Sequence, residues 1–167
     1  MRRSRVVFHP LFVLASAALA TFAYVGFMRW RIPAGDLSNH FMYVLPIIVP
    51  CVAFIFDRAR DFSETTLLEL AIDSAVVVTS FMRMMGVVPL VSGHALFLTY
   101  AIARPGSRLT KITAALVMLQ VIYLKFLVWH DWLSPITGIT LGLLAAFVVR
   151  RFAPKTIARL TPLTNTQ

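Results

Sequence analysis

Two short stretches hold the residue types that could do chemistry. Val91-Ser92-Gly93-His94-Ala95 opens one apolar segment, and Trp129-His130-Asp131-Trp132 precedes another. A pair of histidines suits phosphoryl transfer: one imidazole attacks phosphorus and the other, as an acid, protonates the departing oxygen. Such a site also needs cations or N–H donors around the phosphate. Ser92-Gly93 at a helix start offers exposed backbone N–H groups, and the glycine lets a phosphate approach the chain closely.

The elements that must position these residues are apolar helices. Of the 167 residues, 59% are hydrophobic and 14% charged, and the mean hydropathy is +0.79. Soluble domains carry about 25% charged residues, so the composition predicts an all-α, polytopic membrane protein. At roughly 20 residues per span, about six helices fit in one domain covering residues 1–167. The net charge of +9 does not point to nucleic acid, because the basic residues cluster between the apolar runs, where they record orientation.

The predicted spans run from about Val6 to Met28, Phe41 to Phe56, Phe62 to Met85, Ser92 to Arg104, Leu109 to Trp129, and Ser134 to Arg150. The first is longer than a signal-peptide core and reads as a retained helix, closed by the interfacial Arg29-Trp30-Arg31. The second contains Pro46 and Pro50 and is expected to kink. Asp61 and Glu64 have the spacing of an N-cap and its partner at the start of the third. That third span carries Glu69, Asp73 and Arg83; carboxylates at membrane depth should face protein or water, and Glu69 and Asp73 share one helical face. The basic tail from about residue 152 is expected to be peripheral or frayed.

With the N-terminus inside, twelve of the sixteen Lys and Arg residues fall on the cytoplasmic side, leaving only Arg29, Arg31, Arg83 and Lys125 in the outer half. Six spans with both termini cytoplasmic follow. His94 and His130 then share the non-cytoplasmic end, with Arg83 and Lys125 as the cations placed to reach them. Short loops and a basic inner face fit a bacterial inner membrane with a periplasmic site. His9 and His40 read as interfacial, Met82, Met84 and Met85 as packing residues, and Cys51 as a small residue in an apolar run. One cysteine and scattered histidines lack metal-ligand spacing, so neither metal nor cofactor is expected.

Ser92-Gly93-His94, followed by His130 ahead of a last apolar segment with Gly138, resembles the type 2 phosphatidic acid phosphatase superfamily. Phe81-Met82-Arg83-Met84-Met85, leading through Pro89 to Ser92, is similar to its sphingomyelin-synthase branch. The resemblance covers about Phe81 to Phe147. It implies a six-helix, metal-independent lipid phosphatase or phosphotransferase acting on a membrane lipid phosphate. In that scheme His130 is the nucleophile that becomes a phosphohistidine, and His94 is the acid for the leaving group. Ser92 and Gly93 hold phosphate oxygens, and Arg83 neutralises phosphate charge. Three positions depart from the family pattern. Val91 replaces a proline, Lys125 is the nearest cation upstream of His130 in place of a Ser-Arg pair, and Ser134 stands where an aspartate would orient the nucleophile.

Serine there can orient an imidazole but cannot stabilise its charge. Asp131 adjoins His130 and is expected to point elsewhere, and Asp73 lies at a different depth. Two other functions therefore stay open. One is a catalytically degenerate relative that binds a lipid phosphate or a partner, with Ser134→Asp as its natural probe. The other is a small transporter or assembly subunit using Glu69 and Asp73 as a proton or ion path.

Overall fold

The computed structural model of the chain describes residues 9–31, 37–62, 65–84 and 90–152. Six α-helices account for nearly all of them: α1 (Pro10–Arg31), α2 (Leu37–Asp61), α3 (Leu67–Met84), α4 (Gly93–Ala103), α5 (Arg108–Tyr123) and α6 (Leu133–Phe152). A single π-helical turn, Leu124–Val128, extends α5. The helices occur where the apolar runs predicted them, and α2 continues through both Pro46 and Pro50. Two of them, α5 with its π turn (Arg108–Val128) and α6, are long and apolar enough to cross a membrane. In a soluble protein such helices would lie mostly inside, yet these are only 28% and 33% buried. Their outward faces present Leu116, Leu119, Leu127, Leu143, Leu144 and Phe147.

α4 is the axis of the bundle. Only 11 residues long, it spans about 16 Å. Ala95, Leu98 and Tyr100 on it are fully buried, with α3, α5 and α6 packed around it. Contact with α6 is backbone to backbone. A Cβ on Gly138 would lie 2.6 Å from the Ser92 carbonyl oxygen, and one on Gly142 would lie 2.7 Å from that of Leu96. Ser134, Gly138, Gly142 and Ala146 recur every fourth residue and are all buried, forming the small-residue stripe by which apolar helices approach closely.

The far end of α4 is held by charge. Arg104, whose side chain is 5% exposed, lies 3.1 Å from Asp73 and 3.7 Å from Glu69. Arg58 Nε from α2 approaches Asp73 Oδ2 to 2.7 Å, a charge contact without hydrogen-bond alignment, and the Tyr100 hydroxyl donates to Asp73. Asp57 accepts from the Ser107 amide and the Thr110 hydroxyl, tying α2 to the start of α5. Here one sequence expectation is corrected. Helix α3 begins at Leu67, and its capping box is Thr66 with Glu69: the Thr66 amide donates to Glu69 Oε2 at 3.0 Å, and the Glu69 amide to the Thr66 hydroxyl at 3.2 Å. The Asp61–Glu64 cap is therefore displaced by a better-placed Thr-x-x-Glu, and Glu64 itself lies outside the described residues. Glu69 sits in the first turn of its helix, where a carboxylate favours the helix dipole. Asp73 is enclosed by arginines, so both acidic groups are accounted for by structure.

Candidate functional site

The opposite end of α4 carries the histidines. Ser92 caps the helix, its hydroxyl accepting from the Ala95 amide at 3.4 Å. The Ser92 amide donates to the Ser134 carbonyl at 2.8 Å, and the Thr137 hydroxyl donates to the Leu90 carbonyl. These bonds fasten the start of α4 to the first turn of α6, the helix that follows His130. The bundle thus brings the Ser92-Gly93-His94 stretch and the His130-to-Ser134 stretch to one end, as the sequence spacing predicts.

What Ser92 and Gly93 do there differs from the expectation. Ser92 is 2% exposed, and its amide and hydroxyl are both engaged within the protein. Gly93 faces α3, where a Cβ would lie 2.4 Å from the Ser80 carbonyl oxygen. The glycine is needed so that two backbones can touch, and the pair shapes the site without presenting its polar groups to a ligand. His94, in the first turn of α4, is half-buried. The side chain of Arg83 lies outside the described residues.

Around His130 the backbone is unusual. The Trp129 amide donates to the Leu124 carbonyl at 3.0 Å, the i→i−5 bond of the π turn, and the Asp131 amide reaches back to the Lys125 carbonyl at 2.8 Å. Between these two closures His130 has φ 51°, the one positive φ of a non-glycine residue among the described residues. This is a helix C-terminus whose left-handed residue, normally glycine, is histidine. A π turn and a left-handed non-glycine side by side are features that concentrate at functional sites. The His130 side chain is exposed.

Asp131, expected to point away from His130, is engaged elsewhere. Its carboxylate accepts from Lys125 Nζ at 2.7 Å and from the Ser134 amide at 3.1 Å, and it also receives the Ser134 hydroxyl. Partial burial would raise its pKa, but these three donors outweigh that effect and hold it down to about 2, so it is ionised at all physiological pH. Ser134, expected to orient His130, instead serves Asp131. The signal was legible: an aspartate three residues before a helical Ser has the spacing of an N-cap. Lys125 comes off the π turn with its side chain 13% exposed and its ammonium 6.0 Å over the Trp129 ring. Phe126 and Trp132 pack against each other across the turn, their ring centroids 4.4 Å apart and their planes tilted by 50°.

The arrangement is an exposed imidazole beside a fixed ammonium–carboxylate pair, with a second histidine at the adjoining helix start. This end of the bundle thus offers a held cation and two imidazoles, residue types that a phosphate site uses. Asp73, the other carboxylate considered as a partner for His130, is fixed by Arg58 and Arg104 at the far end of α4, about 16 Å of helix away. Compared with protein-family models, with curated proteins and with solved structures, the chain matches none.

Proposed function

We propose that this chain is a membrane-embedded lipid phosphatase or phosphotransferase working through a phosphohistidine, akin to the type 2 phosphatidic acid phosphatases it resembles. The observation that carries the reading is the joining of the Ser92-Gly93-His94 helix start to the helix behind His130, through Ser92 N–H to Ser134 O. In this scheme an imidazole nitrogen of His130 forms a bond to phosphorus as the bond to the lipid oxygen breaks, and His94 gives that oxygen its proton. Water or an alcohol then attacks phosphorus, the N–P bond breaks, and the attacking proton returns to His94. Lys125 neutralises charge on the phosphate, with Arg83 as a second cation.

The same proposal takes all six helices as spanning, both termini cytoplasmic and the site on the periplasmic face of a bacterial inner membrane. The apolar outward faces of α5 and α6 and the twelve-to-four division of basic residues support it. The test is phosphate release from a panel of lipid phosphates, with chelator present, by wild type, His94→Ala and His130→Ala. Release that both variants lose supports the reading, and release that either retains overturns it.

One observation favours a second reading, a non-catalytic relative that binds a lipid phosphate. The residue in the place of the orienting aspartate, Ser134, is bonded to Asp131. Binding of phosphatidic acid by folded wild type without release of phosphate would select this reading.

A further inference from the structure

The Lys125 ammonium is the described cation closest along the chain to His130, and three contacts fix it. Its main-chain carbonyl accepts from the Asp131 amide at 2.8 Å, its Nζ meets the Asp131 carboxylate at 2.7 Å, and the Trp129 ring lies 6.0 Å beneath it. Asp131 is itself held by the Ser134 amide and hydroxyl, which belong to the rigid α4–α6 seam. The chain of contacts runs from packed backbone to Ser134, from Ser134 to Asp131, and from Asp131 to the cation. An exposed lysine would sample many rotamers and lose that freedom when a ligand fixed it. One already fixed loses much less. An ammonium also has three N–H donors, so one bond to Asp131 leaves two for an incoming oxyanion.

We propose that Asp131 is a positioning residue: it holds the Lys125 ammonium in place to receive the phosphate group of a ligand entering beside His130. This rests on the phosphate-binding reading above and adds the carboxylate that the Ser134 position lacks. Asp131 does not touch the phosphate; it acts through Lys125. The recognised chemistry is a phosphate monoester or free phosphate.

A structural role alone, capping α6, makes a different prediction. Asparagine caps a helix about as well as aspartate, so Asp131→Asn keeps the cap but removes the charge that holds the ammonium. The experiment uses the full chain in phosphatidylcholine nanodiscs, with phosphatidic acid as one probe and inorganic phosphate as the other. Affinity is measured for wild type, Lys125→Met, Asp131→Asn, Asp131→Glu and the Lys125→Met/Asp131→Asn double variant.

Lys125→Met and Asp131→Asn are each expected to weaken binding about tenfold, the loss of one charge-assisted hydrogen bond. The double variant should be no weaker than Lys125→Met alone, because Asp131 acts only through Lys125. Asp131→Glu, which keeps the charge, should recover most of the affinity, while Asp131→Asn should still fold and unfold cooperatively above the assay temperature. The arm showing the loss tells whether the ligand is the lipid or free phosphate. Wild-type binding that Asp131→Asn leaves intact overturns the positioning role and leaves the phosphate reading standing on the histidines. Absence of wild-type binding to either probe overturns both.

Discussion

His130→Gly separates fold from chemistry at one position. The left-handed conformation costs an L-residue about 1–2 kcal/mol, with histidine among the more tolerant types, whereas glycine adopts it freely. Against this, glycine adds unfolded-state freedom worth about 0.5–1 kcal/mol. The difference runs from about 0 to 1.5 kcal/mol in favour of the glycine variant. For a chain of this size that corresponds to a rise in Tm of roughly 0–6 °C. His130→Val should move the other way by about 1 kcal/mol, since a β-branched residue fits the left-handed region poorly. Unfolding would be followed by circular dichroism in detergent, with phosphate release assayed on the same samples. The expected result is a glycine variant at least as stable as wild type and without turnover. A glycine variant destabilised by more than about 1 kcal/mol would show that the imidazole supports the fold through contacts its exposure does not suggest. Retained turnover would refute its role as nucleophile.

Ser134→Asp should not restore an aspartate-type site; it would set a second carboxylate against Asp131, and a lowered Tm with no gain in turnover is expected. Gly142→Ala forces a methyl against the Leu96 carbonyl and Thr99, a backbone clash costing about 1–3 kcal/mol, read as lost thermal stability. Arg104→Met leaves Asp73 and Glu69 short of a cation at a buried position, and a loss of about 3–5 kcal/mol should appear as poor recovery of folded protein. Asp131 is ionised in the folded state down to about pH 2 but only to about pH 3.9 when unfolded, so the unfolded chain takes up its proton first as pH falls. Its stabilising contribution is therefore full above about pH 5 and lost as pH falls through about 2. The stability gap between wild type and Asp131→Asn should stay level from pH 7 to 5 and close below pH 4.

The helices were legible because hydropathy and charge alternate in blocks: the apolar runs and the basic turns between them mark each element. The two histidine-bearing stretches could be assigned to one end of the bundle because each lies at the same end of its apolar run. The side-chain partnerships were not legible. That Asp131 turns away from His130 follows from adjacency, but its partners do not: a π turn and a left-handed residue bring it onto Lys125. Glu69 and Asp73 looked like costly groups at membrane depth, because linear distance from the span ends hides that α3 starts at Leu67 and that Arg58 and Arg104 come from other helices. Gly138-Ile139-Thr140-Leu141-Gly142 carried a visible close-packing pattern, while the partner of Gly93, Ser80 on α3, could be known only from the assembled bundle.

The glycine seam also sets an order of events during synthesis. The surface that buries one side of α4 belongs to α6, which is made after α5, so α4 waits through the making of α5 with that side of its Ser92-to-Leu96 backbone uncovered. The start of α4 is not fastened during that interval, because the bond from Ser92 to Ser134 has no acceptor until α6 docks. A nascent chain stalled before Ser134 would hold five helices and an open groove. That groove, lined by backbone, is the surface by which an unfinished molecule differs most from a finished one.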